Sequence, residues 1–178
     1  MKTATYLLAV AAFLVAPSLS ATQSTIVSGI QASAGELSAD VQLYVGRGDE
    51  LASRLRYDAA AREYARAADI ARGEGHLASG TSWKLATAHY YDGNLLGAAA
   101  ALDQLTNEAA LVGDLEVEAL SIYYAAWLDG KAGRGPEMGA HVARLEGLLR
   151  SQYLPVALRD RLSGWLKTSR EVAAIGSQ

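Results

Sequence analysis

A spacing of small and large residues that recurs along the chain constrains its fold more than any other feature of the sequence. Ala60-x3-Tyr64-x2-Ala67 reappears 38 residues later as Ala98-x3-Leu102-x2-Leu105, and 40 residues further on as Met138-x3-Val142-x2-Leu145. Three- and four-residue spacings put each triplet on one helical face. A period of roughly 20 to 50 residues is that of stacked supersecondary units, none of which can bury its apolar face without a neighbour. A helix-breaking stretch precedes each triplet: Arg56-Tyr57-Asp58, Gly93-Asn94-Leu95 and Gly133-Arg134-Gly135.

Helical spacing and its interruptions predict seven helices. Ser33-Ala34-Gly35-Glu36 has the form of a capping box, in which a hydroxyl and a carboxylate satisfy the free amides of a first turn. From there Leu37, Val41, Tyr44, Val45, Leu51 and Leu55 keep a helical face. Further helices are expected over Tyr57–Arg72, His76–Tyr91 and Leu95–Val112, separated by Gly73-Glu74-Gly75 and Asp92-Gly93-Asn94. Asp114 is placed to cap a helix running to about Lys131. Pro136 suits the first residue of a helix ending near Arg150, and Pro155 starts a last one that ends before Gly176. With 35 Ala and 25 Leu but only 3 Pro, and with no alternating apolar and polar run, the expected class is all-α. Loops this short make consecutive helices antiparallel neighbours.

The units resemble the tetratricopeptide repeat. The first carries the likeness best, with Tyr44-x2-Arg47-Gly48-x2-Leu51 on its first helix and Ala60-x3-Tyr64-x2-Ala67 on its second. Arg47 stands where the family has Leu, and no unit ends in the family's Pro. Ser82-x2-Leu85-Ala86-x2-His89 precedes Ala98 in the second unit, and Ile122-x2-Ala125-Ala126-x2-Asp129 precedes Met138 in the third. The resemblance spans about Glu36 to Arg150. It implies three tetratricopeptide-like hairpins forming an α-solenoid, with Pro155 to Ala174 as the capping helix that solvates the end of such stacks.

The N-terminus reads as an export signal. Lys2 is followed by the uncharged apolar run Tyr6–Ala16, then by Pro17 and the small residues Ser18-Leu19-Ser20. The run is too short for the roughly 20 residues of a transmembrane helix. The expected organisation is a signal peptide over residues 1–20, cleaved near Ser20/Ala21, a flexible leader over 21–32, and the helical repeat domain over 33–178. With no Cys in the chain, neither a lipidated cysteine nor a disulfide can form. The expectation is a periplasmic or secreted protein with no transmembrane anchor after cleavage. A net charge of −3 offers no basic field for phosphates, so nucleic acid is not an expected partner.

Little in the sequence carries chemistry. His76, His89 and His141 show no pair at helical spacing and no H-E-x-x-H, so no metal, cofactor or catalytic residue is expected. The sharpest catalytic alternative is His89 with Asp129, which hold matching places in successive units and could meet across adjacent first helices, with tyrosines nearby. Gly130–Gly135 is glycine-rich and basic but lacks the order of a phosphate-binding loop. Aromatics give the one functional lead. Trp83, Tyr90, Tyr91, Tyr123, Tyr124 and Trp127 gather on the first helices of the middle units, which the resemblance places on an inner surface. They can fill the space that Ala-rich second helices leave, or bind a partner. The reading carried forward assigns Trp83, Tyr90, Tyr123 and Trp127 to one partner-binding surface. The chain is then an exported, non-catalytic scaffold for a peptide, a protein segment or a partner subunit, self-association included; the alternative is a small-molecule carrier or an enzyme built on His89 and Asp129.

Overall fold

The structure, a computed structural model, describes residues 38–175, with side chains through Lys167. The expected signal peptide, the leader and the Ser33–Glu36 capping box lie outside these residues. Seven helices follow one another: α1 (Ala39–Ser53), α2 (Tyr57–Gly73), α3 (Ser79–Tyr91), α4 (Leu95–Val112), α5 (Leu115–Lys131), α6 (Gly135–Leu149) and α7 (Val156–Ile175). Among the described residues there is no strand.

Local chemistry sets most of the boundaries. Ser38 caps α1 by accepting from the Val41 amide at 3.3 Å, Asn94 caps α4 through Gly97 at 2.9 Å, and Asp114 caps α5 through Val117 at 3.0 Å. Each supplies an acceptor to an amide that the first turn leaves unpaired. α3 starts three residues later than the expected His76. The His76 amide is spent on Ala71 O at 2.9 Å, sealing the end of α2.

The repeat seen in the sequence is also a repeat of turns. At the tips of the hairpins α1/α2, α3/α4 and α5/α6 the same bond closes the first helix: Arg56 N to Leu51 O at 3.0 Å, Asn94 N to His89 O at 2.9 Å, and Arg134 N to Asp129 O at 2.8 Å. The residue before each donor is left-handed, with φ of 58° at Leu55, 79° at Gly93 and 74° at Gly133. Such a helix end needs positive φ, which suits glycine. Leu55 adopts it nonetheless. At the opposite edge Gly75 and Gly113 play the same part between hairpins, with φ of 81° and 77°.

Each helix packs chiefly on its neighbours in the chain, a solenoid-like stack. Alanines form its seams. Ala60, Ala61, Tyr64 and Ala88 bury together with Leu51, Ala52 and Leu85 against them. Ala86, Ala98, Ala99, Leu102, Ala125 and Leu128 form the next layer. Ala60 and Ala98, matched by the repeat, are both fully buried. Gly48 meets the Tyr64 ring across the α1/α2 crossing, where a Cβ would lie 2.7 Å from Cδ1 and 2.9 Å from Cζ. Side chains of this size let helix axes approach to the close end of the usual range, about 8 Å.

α7 closes the stack differently. It touches α6 sparsely and instead buries Leu158, Leu162 and Leu166, with Leu154 of the preceding loop, against Ala119, Leu120 and Ile122 of α5 and Leu145 of α6. Arg159 fastens that loop by donating to Ser151 O at 2.7 Å and Leu154 O at 2.9 Å.

Polar clamps reach beyond nearest neighbours. Asp49 of α1 accepts from Tyr64 of α2 at 2.7 Å and Lys84 of α3 at 2.6 Å. Arg72 of α2 donates to Ser82 of α3 at 3.2 Å and Glu108 of α4 at 2.5 Å. Arg144 of α6 donates to Glu118 of α5 at 2.7 Å and Asn107 of α4 at 3.1 Å.

Candidate functional site

The four aromatics assigned to one surface fall into two groups. Trp83 and Tyr90 lie seven residues apart on α3, so two turns and about 10 Å of rise separate them. At the Trp83 level, Trp83 meets Tyr124 edge-on at 5.2 Å. Tyr124 meets Tyr123 at 4.8 Å, and Tyr123 meets Trp165 of α7 at 4.6 Å. All three are edge-to-face contacts, the arrangement favoured by ring quadrupoles. Trp83 and Tyr123 also pack against the leucine cluster that seats α7. Burial pushes the Tyr123 hydroxyl up to about 12 and raises that of Tyr124. The last helix therefore covers this group and joins it to the core.

The second group forms a row along the hairpin tips. Tyr57, the first residue of α2, stacks on Tyr91, the last of α3, with centroids 5.2 Å apart and planes at 26°. Tyr91 meets Tyr90 at 5.5 Å, and Tyr90 meets Trp127 of α5 at 5.4 Å. Lys131, at the end of α5, holds its Nζ 4.6 Å from the Trp127 ring centroid and 5.6 Å from that of Tyr90. Tyr91 is 50% exposed. The same edge carries the exposed Leu55 and Leu96.

Tyr90 and Trp127 thus remain together as proposed, while Trp83 and Tyr123 are drawn under α7. Tyr57, Tyr91 and Lys131 complete the row. Their sequence signal is position: Tyr57 and Tyr91 bracket two breaks that the repeat brings to one edge.

The strongest polar cluster involves a different histidine from the one expected. Asp129 is fully buried, and it is His141 of α6 that bonds to it, Nδ1 to Oδ2 at 2.9 Å. The Nε2 of the same ring pairs with Asp103 of α4 at 2.7 Å. Arg134, in the α5/α6 turn, pairs with Asp129 at 3.3 Å and Glu137 at 3.6 Å. His89 instead contacts Asn94 in its own tip turn, at 3.3 Å. The His89/Asp129 pairing is thus replaced because the α5/α6 hairpin folds His141 back over Asp129, whereas the cap of α4 engages His89.

Electrostatics follow this geometry. The hydrogen bond to Asp103 is the main cause that raises His141 above its usual value, with Asp129 adding to it against burial. Burial raises Asp129, opposed by Arg134 and His141, and burial lowers His89. With a carboxylate beside each nitrogen, His141 of α6 joins α5 through Asp129 and α4 through Asp103. Among the described residues no group of His, Asp or Glu is arranged to hold a metal ion, and no helix is long and apolar enough to cross a membrane.

Comparison of the chain with protein-family models, with curated proteins and with solved structures finds no match.

Proposed function

We propose that this chain is a non-catalytic scaffold of the tetratricopeptide-like kind its repeats resemble, which holds a polypeptide partner on the aromatic row at its hairpin tips. One observation carries the reading: the rings of Tyr57, Tyr91, Tyr90 and Trp127 run continuously across three successive hairpins, with Tyr91 half exposed at the centre. No single hairpin holds this row, so a partner laid along it would recognise the assembled stack. Aromatic anchors bring large apolar area with few rotors to freeze, and one can be worth about 2 kcal/mol or more in binding. Lys2, the apolar run Tyr6–Ala16 and Ser18-Leu19-Ser20 support export, which puts the partner outside the cytoplasm.

The test separates the two aromatic groups. The mature chain, as wild type and as Tyr91→Ala, Trp127→Ala and Trp83→Ala, is used to capture partners from the envelope fraction of the exporting cell, and each variant is melted alone. Tyr91→Ala is expected to lose capture with an unchanged Tm, and Trp83→Ala to lower the Tm. Undiminished capture by both Tyr91→Ala and Trp127→Ala would overturn the proposal.

A further inference from the structure

The row does more than offer apolar area, because one of its positions already holds a cation. The Lys131 ammonium sits over the faces of Trp127 and Tyr90 at 4.6 and 5.6 Å. Among the described residues no carboxylate pairs with it. The negative faces of the two rings attract it, as they do a cation within about 6 Å of a ring centroid. Lys131 is the terminal residue of α5, and its four-carbon stem lets the ammonium swing into water without disturbing the helix.

From this geometry we infer that the Trp127–Tyr90 corner of the row is a recognition site for a cationic side chain, lysine or arginine, of the polypeptide partner, and that Lys131 is its resident occupant, displaced on binding. This inference rests on the reading of the row as a partner-binding surface and adds the chemistry that surface selects. Lys131 marks where the incoming cation sits. It also sets the threshold that ligand must exceed, since an arriving cation gains the ring faces only when the ammonium leaves them.

The experiment uses the mature chain, wild type and Lys131→Met, each labelled at its three Trp indole N–H groups, with the Trp127 signal identified by its loss in Trp127→Phe. The probes are choline and its neutral isostere 3,3-dimethylbutan-1-ol at equal ionic strength. Choline is expected to shift the Trp127 signal saturably and to bind Lys131→Met about two- to fivefold tighter than wild type, the factor that an exposed cation–π contact represents. In Lys131→Met it should also bind tighter than the neutral alcohol by a similar factor. Equal binding of alcohol and choline, no change on removing Lys131, or no shift at all overturns the inference. Partner capture tells which level has failed. If Tyr91→Ala or Trp127→Ala still abolishes capture, the row binds its partner by apolar stacking and only the cation assignment falls; if capture is indifferent to both, the reading of the row falls with it.

Discussion

Two glycines on one helix offer a direct measure of the α1/α2 crossing. Gly46 and Gly48 both lie inside α1, but a Cβ on Gly46 meets nothing within 4 Å, whereas one on Gly48 strikes the Tyr64 ring. Replacing glycine by alanine inside a helix is worth about 0.5–1 kcal/mol from the loss of backbone freedom in the unfolded chain. Gly46→Ala should gain that amount. Gly48→Ala gains it too, but must move a ring whose atoms would sit 2.7 and 2.9 Å from the new carbon, against about 3.5–4.0 Å for an ordinary carbon contact. The ring has little room to yield. Its hydroxyl donates to Asp49 at 2.7 Å, a bond worth about 0.5–1.5 kcal/mol, and Lys84 lies 5.6 Å over its face. An overpacking cost of about 1–3 kcal/mol therefore exceeds the gain. Gly48→Ala should be destabilised by up to about 2 kcal/mol, and the difference between the two variants is the crossing itself, about 1–3 kcal/mol. Urea denaturation of both, at unchanged m-value, reads it. Equal stabilisation by the two substitutions would refute the packing of Gly48 on Tyr64.

Ala60→Leu, at a fully buried seam against Leu51 and Leu85, should lose about 1–3 kcal/mol in the same assay; a neutral result removes Ala60 from the contact. Leu55→Gly should stabilise the chain by about 0.5–1 kcal/mol, since Leu55 holds φ 58° while 73% exposed and gives up almost no packing; a loss of stability would show that the side chain contributes contacts that outweigh its strain. By NMR, His141 should titrate above 6.5 and His89 below it, and Asp103→Asn should bring His141 down. Because the His141 value is raised by folding, its stabilisation is complete below the unfolded value of about 6.5 and is lost as pH rises through the folded one. His141→Gln should lack that alkaline decline, and a decline that persists in the variant would assign it elsewhere.

How much of this the sequence disclosed depended on the range of the interaction. Leu95–Val112 was legible to the residue, since Asn94 caps one end and Gly113 turns left-handed at the other. Asp114 was legible as a cap for the same reason: its acceptor serves an amide three residues away. The offsets of 38 and 40 residues carried the tip turns as well, because Leu55, Gly93 and Gly133 occupy one place in the repeat. The neighbours of the aromatics were not legible. Whether Trp83 faces Tyr123 or Tyr124 depends on a helix rotation of about 100° per residue, which loose repeats do not fix. Tyr123 was drawn into the core by Trp165, contributed by a helix outside the repeat. Likewise Asp129 and His141 are only twelve residues apart, but their meeting needs the α5/α6 turn to reverse the chain at one particular residue.

The polar clamps bear on how such a stack comes apart. In an array where each repeat touches only the next, stability is a sum of local and nearest-neighbour terms, and partly opened forms can be populated. Here Asp49, Arg72, His141 and Arg144 each join three consecutive helices. Melting one of those helices strands a polar group: where the survivor is buried, as Asp129 and Glu118 are, an uncompensated charge costs about 3–5 kcal/mol, whereas the exposed Asp49–Lys84 pair is worth about 0–1 kcal/mol. The penalty falls on helices that are themselves still folded, which discourages a stable boundary between ordered and disordered segments from α2 to α6. Among the described residues none of these clamps includes α7, which is seated by its leucine stripe and the Trp165 contact. The clamps thus couple α2 to α6 while α7 is seated by apolar contact, and the aromatic row at the tips, built from α2, α3 and α5, draws none of its ring contacts from α7.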